Sequence, residues 1–247
     1  MPKELLRRAG QAFSILQLSA LAVRPFHCPN CGSSLLVRIA PNAIGVRCLR
    51  CAASAATLAL MSVLQSTRPS FANESVYELS ARGPFVEFLR RRVSGLTCSE
   101  FFDGTAPGAT RDGVLCQDVQ QLTFDDASFD VVTSTEVFEH VADDERGFRE
   151  VRRVLRPGGS FIFTVPLTDA DATVERACLR DGRIEHLLPP EYHGDRIRGQ
   201  HRVLAFRNYG RDITQRLHTG GFASAHIDER YACAFLGHGS SVIIARA

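Results

Sequence analysis

The sequence predicts an α/β protein in which a mostly parallel β-sheet, with helices on both faces, follows a small cysteine-based module. Short apolar, β-branched runs recur between helical segments from residue 75 to residue 165, a pattern typical of parallel strands joined by crossover helices. Two Cys-x-x-Cys motifs near the N-terminus predict the module. A chain of 247 residues, 45% hydrophobic and 23% charged, is long enough for both parts.

Charge and hydropathy exclude several classes of protein. The net charge of +2 is too balanced to indicate a polyanionic partner, and no apolar run is long enough to cross a bilayer. Lys3 and two arginines precede a mostly apolar stretch at residues 12–23, but Gln17 and two serines interrupt it. We therefore expect a cytoplasmic protein in which residues 1–25 form an amphipathic helix packed on the body. A peripheral membrane contact by that helix is the alternative.

The cysteine motifs predict a zinc ribbon at residues 26–53. Its four thiolates are supplied by Cys28, Cys31, Cys48 and Cys51, with sixteen residues between the two pairs. Residues 35–39 and 44–47 are predicted to form a hairpin between them. A redox pair or disulfides are the alternatives, although a cytosolic setting disfavours disulfides. Because four thiolates close the coordination sphere, the zinc is expected to be structural. The remaining cysteines are assigned no chemistry.

Residues 54–73 are predicted to be a helix and a linker, and a second domain is expected from residue 74 to residue 247. Its first five strands are predicted at residues 75–79, 95–100, 114–119, 129–133 and 160–165, and two further strands at 222–227 and 241–245. Polar residues end four of the strands: Glu78, Glu100, Asp118 and Ser134. Since parallel strands share the edge at which they end, a ligand crevice is expected there.

Helix signals separate these strands. Pro84 suits the first turn of a helix, and residues 143–155 form an amphipathic helix that Pro157-Gly158-Gly159 ends. A short helix is predicted to end at Asp181-Gly182, and another spans residues 211–219. Residues 104–113 are a loop too short for a full crossover helix.

Four short motifs carry a resemblance to a known family: Phe-Asp-Val-Val at 129–132, Glu-Val-Phe-Glu-His-Val at 136–141, the run from Glu150 to Gly159, and Phe-Thr-Val-Pro at 163–166. In this order they resemble the fourth and fifth strand regions of class I methyltransferases of the type 11 domain, in the subgroup acting on small molecules, lipids and glycans. The resemblance implies a Rossmann-like seven-stranded sheet whose last strand is antiparallel, and S-adenosyl-L-methionine as the cofactor.

The resemblance also implies a set of cofactor-binding residues. The family's glycine-rich turn corresponds here to Glu78, Ser80, Arg82 and Gly83, of which only Gly83 is a glycine. Arg82 could pair with the methionine carboxylate. Glu100 corresponds to the acid that accepts hydrogen bonds from both ribose hydroxyls, with Asp103 as a substitute. Asp118 and the Val119 amide correspond to the adenine contacts. The remaining members, Ser134 and Glu136, are expected to line the pocket.

Two histidines are the candidate catalytic residues. His193 lies in the motif Pro-Pro-Glu-Tyr-His-Gly-Asp, which resembles an insertion of bacterial methyltransferases in this subgroup, and an imidazole can take a proton from a hydroxyl near neutral pH. A loop histidine bonded to backbone is the alternative. His140 is the second candidate, and Glu139 could orient it.

The run from Glu136 to His140 is also similar to the E-x-x-E-H of quinone-biosynthesis O-methyltransferases. There the acids and histidine, placed on one helical face, can hold a divalent metal. We favour the alternative in which Glu136 and His140 line the cofactor pocket.

These features predict an S-adenosylmethionine-dependent methyltransferase acting on a hydroxyl or other nucleophile of a small molecule, sugar or lipid intermediate. An RNA methyltransferase that uses its zinc ribbon for recognition is one alternative, but the ribbon has few basic residues and only Phe26 as an aromatic, so nucleic acid is disfavoured. A binding protein with a degenerate methyltransferase fold is the other, suggested by the glycine-poor turn.

Overall fold

A computed structural model describes residues 17–42, 45–194 and 202–247. Most of the predicted N-terminal helix, residues 1–16, lies outside the described residues. Of the remainder, Leu18–Ala20 is a single 3-10 turn, and a β-strand begins at Ala22, so the helix does not extend to residue 25. Among the described residues, no helix combines the length and apolar character that a membrane span requires.

The described residues contain four α-helices and seventeen β-strands. The helices are α1 (Ala55–Thr67), α2 (Pro84–Arg90), α3 (Asp144–Val154) and α4 (Ile213–Thr219). The strands are β1 (Ala22–Cys28), β2 (Gly32–Arg38), β3 (Val46–Cys48), β4 (Ser75–Glu78), β5 (Gly95–Glu100), β6 (Thr110–Arg111), β7 (Val114–Cys116), β8 (Phe129–Thr135), β9 (Leu155–Thr164), β10 (Val174–Glu175), β11 (Ala177–Arg180), β12 (Arg183–His186), β13 (Glu191–His193), β14 (Val203–Ala205), β15 (Arg207–Asn208), β16 (Ser224–Asp228) and β17 (Val242–Arg246).

The central sheet has the strand order β16-β17-β9-β8-β4-β5-β7-β6. Strands β7, β5, β4, β8 and β9 run parallel, whereas β17 is antiparallel to both of its neighbours. The predicted α/β class and antiparallel final strand are therefore confirmed. The sheet carries an eighth strand, β6, because Asp112 and Gly113 adopt φ of 52° and 76° and turn the predicted loop into a hairpin.

Two apolar layers cover the sheet. Because side chains alternate along a strand, Val76 of β4 packs with α1 and α2 on one face, and Tyr77 faces the opposite layer, which contains α3 and α4. In that second layer the rings of Phe161 and Phe163 stack at 4.1 Å between centroids, and those of Phe138 and Phe148 at 4.7 Å. The chain order reverses between β4 and β8, the place where a sheet of this kind opens a ligand crevice at its strand ends.

Helix α3 ends one residue earlier than predicted, and β9 already begins at Leu155. Pro157-Gly158-Gly159 therefore lies inside the first part of this strand, where the pairing of β9 with β8 is irregular next to Phe129. The predicted helix ending at Asp181-Gly182 was wrong. Both residues have positive φ, 50° and 74°, and they form the two-residue turn of the β11–β12 hairpin.

The N-terminal module is a three-stranded antiparallel sheet, β1-β2-β3. The predicted hairpin corresponds to β2 and β3, and β1 is an addition. Arg92, which follows α2, donates a hydrogen bond to the carbonyl of Pro29 at 2.7 Å, and Arg38 donates one to Leu236 at 2.9 Å. The rings of Phe26 and Phe235 meet edge to face at 5.9 Å. The module therefore shares a hydrophobic core with the central sheet.

An insertion at residues 168–209 follows β9. The two ends of the insertion lie next to each other, since the amide of Thr168 donates a hydrogen bond to the carbonyl of Tyr209 at 2.8 Å. Arg207, only 3% exposed, donates to the carbonyl of Phe138 at 3.2 Å and to that of Ala142 at 2.9 Å. Its guanidinium also pairs with Glu175 at 3.1 Å. The insertion is therefore fixed to the chain segment just after β8.

The aromatic layer yields a stability prediction. Substituting Phe161→Ala removes a fully buried ring from a stacked cluster, and we expect it to lower the free energy of unfolding by about 3–5 kcal/mol. Leu179, 57% exposed on β11, is the control, for which Leu179→Ala should change stability by less than about 0.5 kcal/mol. Denaturant unfolding measures both. Equal effects of the two substitutions would contradict the assigned packing.

Candidate functional site

A pocket of about 100 Å³ opens at the carboxyl ends of β4, β5 and β7. It brings together four of the predicted site residues: Glu100, Asp118, Val119 and His140. The other lining residues, which sequence reasoning did not single out, are Tyr77, Leu79, Ser99, Phe101, Gln117, Gln120, Val137 and Val141. The pocket therefore places two carboxylates among polar and apolar side chains in about equal measure.

The turn after β4 lies beside this pocket. The amide of Ala81 donates to Oε2 of Glu100 at 3.5 Å, which ties the turn to the end of β5. Gly83 has a φ of 112°, and no atom lies within 4 Å of the position where a Cβ would stand. The space is therefore open for a ligand, while the backbone angle favours glycine. Ser80, Arg82 and Gly83 do not line the pocket itself, and Arg82 is exposed.

Glu78 ends β4 as a buried acid, 1% exposed. The hydroxyl of Thr133 donates to its Oε2 at 2.5 Å, but Oε1 has no hydrogen-bond partner among the described residues. Burial raises the pKa of Glu78 to about 8. An unpartnered, buried carboxyl oxygen at a strand end requires a donor that a ligand could supply.

Asp118 is held by its own local turn. Its Oδ1 accepts hydrogen bonds from the amide of Gln120 at 2.9 Å and from the side chain of Gln120 at 3.1 Å. Gln120 in turn accepts a hydrogen bond from the amide of Asp143 at 2.9 Å. Gln120 thus links the end of β7 to the start of α3. The only feature of the sequence that indicates this role of Gln120 is its position two residues after Asp118, a spacing typical of turns in which an aspartate accepts a backbone hydrogen bond.

Strand β8 ends at two further predicted residues. Ser134 is fully buried, and its hydroxyl has no hydrogen-bond partner among the described residues. Glu136, just beyond the strand, has a φ of 54°, a left-handed conformation that costs free energy for a residue with a side chain. Burial and repulsion from Glu139 raise the pKa of Glu136 to about 8.

Glu139, His140 and His193 form a cluster over the end of β8. Oε1 of Glu139 lies 3.6 Å from Nε2 of His140 and 3.7 Å from Nδ1 of His193, and the two imidazole rings meet at 5.0 Å between centroids. The predicted helical face of Glu136, Glu139 and His140 is not formed. Only Phe138–His140 makes a single 3-10 turn, and the position expected for Glu136 is taken by His193 from the insertion.

The insertion also supplies Glu191, which sequence reasoning missed. Its Oε1 lies 3.2 Å from Nε2 of His193. The carboxylates of Glu139 and Glu191 together raise the pKa of His193 to about 9, so that the imidazole holds its proton at neutral pH in this arrangement. As it stands, His193 is therefore not the ready proton acceptor that its ordinary pKa predicts. The sequence could have indicated this pair, because Glu191 and His193 are two residues apart on β13 and such side chains lie on the same face of a strand.

The cysteines of the N-terminal module converge as predicted. Sγ of Cys28 lies 3.7 Å from Sγ of Cys51, and Sγ of Cys31 lies 3.6 Å from Sγ of Cys48. All four are free thiols, too far apart for disulfide bonds of about 2.05 Å. Ligand bonds of about 2.3 Å in a tetrahedral zinc site place sulfur atoms about 3.8 Å apart. The donor set and its spacing therefore fit a four-thiolate zinc ion.

Glu78 generates a prediction for the pH dependence of stability. Between the ordinary pKa of 4.5 and the folded value of about 8, the folded protein retains a proton that the unfolded chain has lost. Stability therefore falls as pH rises through this window, by up to about 1.4 kcal/mol per pH unit. Glu78→Gln should make the slope shallower by the share of Glu78, while Glu136, whose pKa is also raised to about 8, keeps its own share. Glu185→Gln on the exposed β12 should leave the full slope. Unchanged slopes in unfolding titrations of the Glu78→Gln variant would contradict the assignment.

Comparisons with known proteins agree with this geometry. The family described as "Methyltransferase domain" matches residues 72–163. The sarcosine/dimethylglycine N-methyltransferase of Halorhodospira halochloris is 31% identical over 123 residues, 45% of this chain and 44% of that protein. The demethylmenaquinone methyltransferase of Mycolicibacterium vanbaalenii is 35% identical over 114 residues, 43% of this chain and 50% of that protein. The chain thus spans about half the length of these curated relatives.

Among solved structures, the S-adenosylmethionine-dependent methyltransferase of Mesorhizobium loti is similar over 76% of this chain and 98% of its own, with 21% identity and a TM-score of 0.49. The segment that matches the family, residues 72–163, runs from just before β4 to within β9. It contains the turn after β4, the two pocket carboxylates of Glu100 and Asp118, and Glu139. Residues 72–163 are thus similar to the methyltransferase-domain family.

Proposed function

We propose that this protein transfers a methyl group from S-adenosyl-L-methionine to a nucleophile, a hydroxyl in our preferred version, of a small molecule, sugar or lipid intermediate. The observation that carries the proposal is the meeting of Glu100 and Asp118 at one pocket, with the turn after β4 bonded to Glu100 through the amide of Ala81. All three lie inside the segment that matches the methyltransferase domain. An S-adenosylmethionine molecule needs this combination of a carboxylate for its ribose, polar contacts for its adenine, and backbone that it can approach closely.

The residues fit the cofactor in three respects. Glu100 offers two carboxylate oxygens at a strand end, suited to two neighbouring hydroxyl groups. Asp118 and the Val119 amide lie across the same pocket and would hold the adenine ring. Open space at Gly83 and the unpartnered Oε1 of Glu78 would receive the methionine part, with its ammonium as the missing donor. Bound there, the cofactor supplies a methyl group that is activated by the positive charge on its sulfur.

The acceptor would enter between the pocket and the insertion. His140 lines the pocket and touches His193, so that the histidine cluster borders the place where the cofactor and the acceptor meet. Residues of this chain would hold the acceptor in line and exclude water, which are the main requirements of a displacement at an activated carbon. A proton leaving the acceptor would pass to this cluster, either to His140 or to the carboxylate of Glu139.

Two observations favour small acceptors. The curated relatives are named as methyltransferases of sarcosine and dimethylglycine and of demethylmenaquinone, all small molecules or lipids. In addition, the insertion carries exposed apolar side chains, including Leu179, Ile184 and Leu187, as would suit a substrate with a hydrophobic part. The choice of a hydroxyl rests on the cluster's capacity to accept a proton.

Calorimetric titration with S-adenosyl-L-methionine tests the cofactor assignment. We expect saturable binding, and we expect Glu100→Ala to weaken it at least about ten-fold, because charge-assisted hydrogen bonds contribute about 1.5–3 kcal/mol each. Glu185→Ala, on the exposed edge of the insertion hairpin, is the control and should bind as the unaltered protein does. A folded protein that binds no S-adenosylmethionine would sink the proposal and favour a degenerate binding protein.

We also propose that the four cysteines of the N-terminal module hold one structural zinc ion. Its ligands would be Cys28, Cys31, Cys48 and Cys51, whose sulfur atoms already lie at tetrahedral spacing. Two of them, Cys28 and Cys48, are almost completely buried within the core that the module shares with the sheet. The ion would therefore stabilise more than the module itself.

Elemental analysis of purified protein tests the zinc assignment. Cys31→Ser should lose one zinc equivalent per chain and lower the melting temperature, since three remaining ligands leave the tetrahedral site incomplete. Cys233→Ser, at an exposed free thiol outside the cluster, is the matched control and should keep both properties. Retention of the full zinc content by Cys31→Ser would refute the assignment.

A further inference from the structure

The cluster of Glu139, His140 and His193 contains an acid whose environment is unusual. Glu139 is 1% exposed, and neither of its carboxylate oxygens has a hydrogen-bond partner among the described residues. Burying an ionised carboxylate without partners costs several kcal/mol, so such groups in native proteins are paired or bound to a cation. The two imidazoles beside it, at 3.6 and 3.7 Å, are too distant for direct hydrogen bonds.

The hydrogen bonds of the outer nitrogens determine what the inner nitrogens offer. Nδ1 of His140 lies 2.8 Å from the carbonyl oxygen of Leu204, which can only accept, so this nitrogen carries the proton. Nε2 of His193 faces the carboxylate of Glu191 in the same way, at 3.2 Å. In a neutral imidazole the single proton would thus lie on the outer side of each ring. The two neighbouring carboxylates keep a second proton on His193, and a bound cation would displace it, as metal ions displace protons from their histidine ligands. Both inner nitrogens would then present lone pairs to the ion.

Three potential ligand atoms therefore converge, and the two histidines among them are already held by hydrogen bonds at their outer nitrogens. Metal-binding histidines in proteins show the same pattern, in which the second ring nitrogen donates to a carbonyl or a carboxylate. The three ligand atoms all lie within 4.8 Å of one another. Ligand atoms at bonds of about 2.1 Å in a tetrahedral site lie about 3.4 Å apart, so a small inward movement would complete the geometry.

We propose that Glu139, His140 and His193 bind a divalent first-row transition-metal ion at the acceptor side of the pocket. Two imidazoles and one carboxylate favour such an ion over magnesium, which prefers oxygen ligands. Three protein ligands leave coordination positions open, in contrast to the closed four-thiolate site. The open positions suit an oxygen of a bound small molecule. With the ion bound, Glu139 and His140 would be ligands and not proton acceptors, and the charge of the ion would instead ease the loss of a hydroxyl proton to water. This use of the ion, though not its binding, rests on the proposed methyltransferase function.

The ligand set joins two separate parts of the chain. Glu139 and His140 belong to the segment after β8, whereas His193 belongs to β13 of the insertion. The ion would therefore hold the insertion against the end of the central sheet, in addition to the contacts of Arg207. Glu136, which the sequence suggested as a ligand, is not part of this set.

Cobalt(II) titration of the full chain, with the cysteine site already filled by zinc, tests the proposal. We expect one additional equivalent to bind with the visible absorption of nitrogen and oxygen ligands, without the sulfur-to-cobalt charge transfer of a thiolate site. Glu139→Gln and His193→Ala should each weaken this binding at least about ten-fold. His186→Ala, an exposed histidine of the same insertion, is the matched control and should not alter it.

Absence of the additional equivalent in the unaltered protein, or its retention in both ligand variants, would overturn the proposal. His193 is partly exposed, so that His193→Ala should fold even if Glu139→Gln, at a buried position, does not. The test therefore remains valid with His193→Ala alone. The titration is made without S-adenosylmethionine, so its outcome is independent of cofactor binding. Cobalt binding without cofactor binding would contradict only the proposed methyl transfer, and the reverse result would contradict only the metal site.

Discussion

The common edge at which the parallel strands β4, β5, β7 and β8 end is the constraint on which the rest of the site depends. Parallel pairing forces the residues after these strands into one crevice, whatever their separation in the chain. In this protein the crevice gathers Glu78, Glu100, Asp118 and Glu139, three of them almost completely buried. Buried acids repel one another and lose hydration, so the apolar layers on both faces of the sheet must supply the compensating stability.

The sequence was most informative where a property is local. Strand β5 was predicted at its observed bounds, and the cysteine spacing predicted a cluster that the fold assembles. The error at residues 174–182 arose because Asp181-Gly182 suits the end of a helix and also the two-residue turn of a hairpin. Only the pairing of β11 with β12 decides between these readings. The contact between His193 and Glu139 could not be predicted from the sequence either, because it depends on how the insertion folds back over the end of β8.

The two cation sites inferred for this chain differ in whether protein ligands fill every coordination position, which generally separates structural from reactive metal sites. The four cysteines surround their site completely and lie within a shared core, so an ion there acts on folding. The Glu139 cluster has fewer ligands and borders a pocket, so an ion there would act on a bound molecule. Arg207 connects the second site to the fold, because it binds the backbone of the turn that carries Glu139 and His140.

The insertion at residues 168–209 begins and ends at two neighbouring residues, Thr168 and Tyr209, and its described residues, 168–194 and 202–209, contribute no strand to the central sheet. A segment with closely spaced ends can be lengthened, shortened or replaced without moving the elements that it connects. Under the proposed function, changes in this segment alone would alter acceptor preference while the crevice at the strand ends is kept. Exchange of the same segment between related proteins offers protein engineers a route to new acceptors on an unchanged scaffold.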